Sequence, residues 1–165
     1  MIDLHMAYEE ILRLLADADI PYRLYHHRPI LSYEEAELAR QEVGFEGTES
    51  KVVVCRVDDG FAVYVTTQRQ RLDQRAMKQL LGAKKLRLAT ADELRQTFGA
   101  EPGCAYPFGF APDIPIVFDR TIFDEDWMLF SAGLPTTTIQ ITGPDLQLLV
   151  AYLPNPTLTY GESAS

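Results

Sequence analysis

The sequence is poor in the residues that cross-link or metallate small folds: among 165 residues there are two cysteines, three histidines and one tryptophan. Cys55 and Cys104 lie far apart and neither belongs to a CxxC or CxxH pair, so the spacing argues against a zinc site and leaves reduced thiols as the expectation. His5, His26 and His27 all fall near the N-terminus, and any histidine-assisted reaction has to fold that segment back onto a distant nucleophile. The stretch Met1 to His5 has no basic region leading into an apolar run, and no later run approaches the ~20 apolar residues of a membrane span. A cytoplasmic protein with no membrane partner is expected. Also missing are the GxxxxGK[ST] phosphate loop, the GxGxxG dinucleotide fingerprint, the HExxH zinc helix and the GxSxG nucleophile elbow. The common nucleotide-binding and hydrolase signatures therefore lend no support.

What is present suffices for a conventional core. A chain of this length corresponds to one domain on the usual ~100–200 residues per domain. Size scaling gives about 8,200 Å² of folded surface against about 27,000 Å² unfolded, so about 70% can be buried without a disulfide or metal. Hydrophobic residues make up 47% and charged residues 24%, which excludes disordered and low-complexity classes. The net charge of −9 opposes phosphate polyanions through the field of the whole molecule. Its distribution is uneven, because residues 51–100 carry ten basic and five acidic side chains, against four and eleven in residues 1–50 and one and eight in residues 101–165. That confined positive surplus suits a short stretch of nucleic acid, with a merely solvated helix face as the alternative.

Apolar periodicity predicts a helix over residues 7–18, and alternation from Tyr22 to His27 predicts a strand running into Arg28-Pro29. Ser32 to Glu35 has capping-box spacing and opens a helix ending near Gly44. Lys51 to Val57 and Phe61 to Thr67 are β-branched runs around Asp58-Asp59-Gly60, a hairpin whose Asp-Gly pair favours positive φ. Asp73 caps a helix through Leu81, Lys85 to Leu88 reads as a short strand, and Thr90 to Glu93 opens another helix ending at Gly99. Residues 102–115, dense in glycine, proline and aromatics, form a loop. Ile116 to Phe118, Trp127 to Phe130 and Thr136 to Thr142 are strands, Asp124 to Asp126 is an acidic turn, and Gly143 starts a last helix to about Tyr152. Strands and helices without strict alternation predict an α+β single domain around a mixed, largely antiparallel sheet flanked by helices.

Few side chains stand out as chemical candidates. Cys104 with His26 or His27 is one nucleophilic pairing, against which a buried thiol acting as apolar filler is the commoner case. Glu34 and Glu35 make a carboxylate pair that the capping box already employs. Lys51 sits at the entrance to a strongly apolar strand, where its long side chain can reach a pocket at the sheet edge. In the Gly103 to Gly109 loop, glycines let backbone N–H groups approach a ligand and prolines hold the shape, an arrangement able to stabilise an oxyanion; a structural cover over the core is the alternative.

These features occur in a familiar order. Tyr25-His26-His27-Arg28 before the Ser32 helix, Lys51-Val-Val-Val, the hairpin, Leu86 to Leu94, Gly103-Cys-Ala-Tyr-Pro-Phe-Gly109, Ile114 to Asp119 and Phe130-Ser-Ala-Gly133 together resemble the YbaK/EbsC family and the editing (insertion) domain of bacterial prolyl-tRNA synthetase. The resemblance spans about residues 5–152. It implies a stand-alone α+β deacylase over residues 1–153, with a flexible tail at 154–165, hydrolysing the ester of mischarged aminoacyl-tRNA without metal or cofactor. Its implied partners are the tRNA acceptor end and, transiently, an aminoacyl-tRNA synthetase. By the same resemblance Lys51 and Gly103 are the catalytic positions, and Thr66, Thr67, Pro107, Phe108, Gly109, Ser131 and Gly133 are substrate-binding. Relatives specific for alanine carry histidine in an F-H-P-L-type motif near Ser131, whereas Phe130-Ser131-Ala132-Gly133 resembles the broader S-A-G-type branch. A non-catalytic module binding an aminoacyl or nucleotide ligand, and a cysteine hydrolase using Cys104, are the competing readings.

Overall fold

Short polar side chains set where most helices begin. Ser32, Asp73, Thr90 and Thr142 each sit in extended backbone and accept the N–H of the third residue on, satisfying a donor that the first helical turn leaves unpaired. At Thr90 the bond is reciprocal, since Glu93 also accepts the Thr90 N–H at 2.9 Å. Arg87 pairs with the same carboxylate at 2.7 Å and, with those bonds, holds its pKa down to about 2.

The computed structural model describes residues 4–67, 71–102 and 105–161. In chain order these form α1 (Leu4–Asp17), β1 (Arg23–His26), α2 (Tyr33–Val43), β2 (Thr48–Val57), β3 (Gly60–Thr67), α3 (Gln74–Leu81), β4 (Leu86–Leu88), α4 (Ala91–Phe98), β5 (Ile116–Asp119), β6 (Met128–Ser131), β7 (Thr137–Ile141), α5 (Gly143–Val150) and β8 (Thr157–Tyr160). The strands make one mixed sheet in the order β1-β7-β6-β2-β3-β5-β8, with β4 attached to β2. Four pairings are antiparallel; β2–β6, β3–β5 and β5–β8 are parallel.

Successive strand residues face opposite sides. On one face Val54, Val65, Phe118, Phe130 and Ile139 pack with Ile11, Leu14 and Leu15 of α1 and with Tyr106, Phe108 and Phe110 of the loop before β5. On the other face Tyr64, Val117 and half-buried Val53 pack under Met77 of α3.

Three expectations change. The hairpin has its positive φ at Asp58 (49°) rather than at the Asp-Gly pair, because the Asp58 carboxylate accepts the N–H groups of Lys84 (3.1 Å) and Lys85 (2.9 Å) and ties the turn to β4. The acidic turn begins within a 3-10 helix, Arg120–Asp124, capped by Asp119. Residues 157–160, expected in a flexible tail, form β8 in parallel register with β5. Buried Asn155 anchors that strand by donating from Nδ2 to the carbonyls of Ala111 and Ile114, each at 2.9 Å. Asn155→Ala leaves both carbonyls without this donor and is expected to cost about 1–3 kcal/mol, read as a lower urea midpoint.

Candidate functional site

The two edges of β2 are used differently. One edge pairs with β3 from Ser50 to Val57. The other pairs with β6 at Thr48 and Glu49 and with β4 at Cys55 to Val57. Among the described residues no strand pairs Ser50 to Val53 on that side, so the sheet splits there into two leaves.

A cavity of about 100 Å³ lies in this split. Ile30, Ala36, Ala105, Phe130, Leu134 and Pro135 provide its apolar wall, and His27, Glu49, Ser50, Ser131, Thr137 and Thr138 provide polar groups. A benzene-binding cavity is about 150 Å³, so the space has room for a small group.

The polar groups are fixed by their strands or, for His27, by the end of β1. Ser131 and Thr138 are directly opposed in the β6–β7 register. The Ser131 Oγ accepts the Gly133 N–H at 3.1 Å. Gly133 adopts φ +92°, and a Cβ there would lie 3.0 Å from the Tyr8 nitrogen of α1, so this glycine closes the turn against the helix. His27 Nδ1 lies 2.7 Å from the Arg28 carbonyl and Nε2 lies 2.7 Å from Thr138 Oγ1. The ring also packs on buried Phe45, with centroids 5.8 Å apart. Glu49 pairs with Arg40 at 2.8 Å.

Of the described residues singled out from the sequence, one lines this cleft and the others lie beside or behind its walls. Ser131 lines it. Thr67 is buried opposite cleft-lining Ser50, and Lys51 follows on the same lip, opposite Thr66 on the other face of the sheet. Half-buried Lys51 has no carboxylate partner among the described residues. Thr66 is fully buried and donates to Asp119 Oδ2 at 2.7 Å; Asp119 Oδ1 accepts the N–H and hydroxyl of Thr121 at 2.9 and 2.8 Å. Pro107 and Phe108 are buried, with Phe108 behind the wall residue Phe130 at 5.3 Å. Gly109 packs on α1, where a Cβ would meet Ile11 Cγ1 at 2.8 Å. Gly103 and Cys104 lie outside the described residues, while Ala105, next in the chain, lines the cleft.

Of the cleft's polar residues, His27, Glu49, Ser50, Thr137 and Thr138 are not among the site residues singled out from the sequence. The sequence presents His27 in a strand, in the Tyr25-His26-His27-Arg28 motif and as a partner for Cys104, and Thr138 as one position in a strand. The alternation that puts Thr138 opposite Ser131 was visible, but the pairing of β6 with β7 was needed to use it. Among the described residues no group of three or more His, Cys, Asp and Glu side chains is placed to hold a metal ion. No described helix is long and apolar enough to cross a membrane. Cys55 is fully buried, and burial pushes its thiol up to about 11. In a Cys104→Ala background Cys55 is therefore expected to resist iodoacetamide at pH 8 until denaturant is added, as read by mass spectrometry.

This architecture is shared by solved proteins. A hypothetical protein superposes with a TM-score of 0.74 at 22% identity, over 93% of this chain and 99% of that one. A proposed trans-editing enzyme for prolyl tRNA synthetase superposes with a TM-score of 0.70 at 22% identity, over 95% and 98%. The class is thus a split-sheet α+β domain with a small polar cleft. Residues 27–149 match the aminoacyl-tRNA editing domain model, and the chain belongs to that family. Among curated relatives, the prolyl-tRNA editing protein ProX of Acetoanaerobium sticklandii is 24% identical over 152 residues, covering 87% of this chain and 90% of that protein. The proline–tRNA ligase of Shouchella clausii is 34% identical over 85 residues, covering 51% of this chain and 15% of the ligase.

Proposed function

We propose that the protein is a trans-editing deacylase that hydrolyses the ester linking an amino acid to the terminal ribose of a mischarged tRNA. The observation that carries this reading is the cleft at the β2–β6 split, in a chain that belongs to the aminoacyl-tRNA editing family. Its volume of about 100 Å³ suits a small aminoacyl group.

In the reaction a water oxygen adds to the ester carbonyl carbon and gives up a proton, the carbonyl oxygen takes up negative charge, and the bond to the ribose oxygen then breaks as that oxygen takes up the proton the water released. Each step needs hydrogen-bond donors more than a nucleophilic side chain. The Ser131 hydroxyl, backbone N–H groups on the unpaired lip of β2 and those around Gly103 are the donors in our reading. Lys51 supplies positive charge at the lip, orienting the terminal phosphate or the ester. Thr67 flanks Ser50, while Thr66, Pro107, Phe108, Gly109 and Gly133 act by holding the walls.

The RNA contact is assigned to the basic middle segment. Arg71, Arg75, Lys78, Lys84 and Lys85 are exposed and lie before, on and after α3; among the described residues none has a carboxylate ion-pair partner. Acidic residues dominate the remaining chain, which restricts a polyanion to this side. A tRNA substrate places this activity in the cytoplasm, with a synthetase as a transient neighbour.

Release of amino acid from alanyl-, cysteinyl- and seryl-tRNA species tests the reading. Wild type and Cys104→Ala are expected to hydrolyse at least one species, while Lys51→Ala loses at least about 100-fold in kcat/KM with unchanged circular dichroism. Binding of an aminoacyl-adenosine without turnover of any species would instead establish the ligand-binding module. The double variant Lys84→Glu, Lys85→Glu is expected to raise KM for charged tRNA and flatten its salt dependence, leaving kcat within about twofold.

A further inference from the structure

The protons in the cleft can be assigned from their partners. The Arg28 carbonyl only accepts, so His27 Nδ1, 2.7 Å away, carries the ring proton in the neutral histidine. Nε2 is then the acceptor, and Thr138 Oγ1 at 2.7 Å donates its hydroxyl proton to it. With that proton committed, Thr138 offers the cleft only lone pairs.

Ser131, opposed to it across the β6–β7 pair, is the reverse case. Its oxygen accepts the Gly133 N–H, so its hydroxyl proton remains to be given. Opposed residues on a sheet have Cβ atoms about 4.5–5.5 Å apart. The cleft thus sets one donor beside one acceptor at short range. Glu49, the carboxylate on the lining, is already paired with Arg40 at 2.8 Å, so the donor–acceptor pair of Ser131 and Thr138 carries the discrimination.

An aminoacyl ester has the complementary pattern, for its α-ammonium nitrogen only donates, its carbonyl oxygen only accepts, and the two are joined through two carbons, Cα and the carbonyl carbon. Resting on the editing function proposed above, we propose that Thr138, held as an acceptor by His27, binds the α-ammonium group while Ser131 donates to the carbonyl oxygen. The cleft therefore selects free α-amino esters over N-acylated ones. Thr138 touches the substrate, and His27 is a positioning residue acting through it. Acylation of the nitrogen removes its positive charge, leaves one donor in place of three and adds bulk where the lone pairs of Thr138 favour a cation.

The test uses adenosine carrying alanine in amide linkage at the 3′ position, and the N-acetyl derivative of the same compound, titrated calorimetrically into the intact protein. Wild type is expected to bind the free amine at least tenfold more tightly. Thr138→Val, which keeps the shape and removes the hydroxyl, is expected to bring the two affinities within about twofold, while Thr138→Ser keeps the preference. His27→Gln retains an acceptor for the hydroxyl and keeps the preference; His27→Phe retains the packing on Phe45 and loses it. A wild type that binds both compounds equally or binds neither overturns the proposal, as does a Thr138→Val variant that weakens both by the same factor. Retention of the preference in His27→Phe overturns the positioning role. Deacylation of tRNA is scored separately: amine-selective binding without turnover removes the deacylase reading and keeps this one, and turnover without selectivity does the opposite.

Discussion

The architecture hinges on a parallel pairing only two residues long. β2 meets β6 at Thr48 and Glu49, beside Met128 and Leu129, and then leaves it. The close approach is possible because Gly47 precedes it at φ +146°, where a Cβ would lie 2.9 Å from the Trp127 carbonyl and 3.0 Å from the Leu129 side chain. The Thr48 N–H bonds that same carbonyl at 2.8 Å. A longer pairing would have closed the sheet and abolished the cleft. A missing one would have left the leaf of β1, β6 and β7 joined to the rest through loops and side chains alone, with no ladder to fix its angle. Backbone groups on the free stretch of β2 need partners when removed from water, and a bound ester can supply some of them.

Both leaves are braced close to the split. On the β2 side the Asp119 carboxylate takes bonds from Thr66 and Thr121, so a buried charge is met by three donors at the ends of β3 and β5. Thr66 is opposite Lys51, so this network steadies the strand ends next to the lysine. On the β6 side Phe108 packs edge-on against Phe130, and Tyr106 donates to the Phe98 carbonyl at 2.8 Å, pinning the glycine- and proline-rich loop so that Ala105 reaches the cleft. The aromatics of that loop are core side chains, and among its described residues Ala105 faces the site.

Local signals made the elements legible. Caps at Ser32, Asp73 and Thr90, helix ends at Gly44, Gly82 and Gly99, and the β-branched runs around Asp58 all correspond to observed boundaries. The order of short motifs also pointed to the editing family before any geometry was available. Non-local pairing stayed hidden. Nothing within Thr157 to Tyr160 says that it lies beside Ile116 to Asp119, since the anchor is one amide, Asn155, reaching two carbonyls more than forty residues earlier. The same limit hid the cleft's polar pair: Ser131 carried a motif, but Thr138 acquires meaning only from Ser131 across one strand and His27 across another.

A site built this way accounts for the absence of a catalytic triad signature. A triad matters when the protein must supply a nucleophile; here water is the attacking group in our reading, and the protein's task is to hold a small ester between fixed donors and acceptors. Fixed dipoles in a narrow, partly desolvated cleft act strongly because they need no rearrangement as charge develops. That requirement falls on backbone edges and hydroxyls whose protons are already assigned by neighbours, groups that a sequence displays everywhere and only a fold makes specific. The charge distribution follows the same economy. An overall acidic composition opposes nucleic acid in general, whereas in our reading the exposed basic residues around α3 take the phosphate-rich end of the substrate, which confines binding energy to that contact.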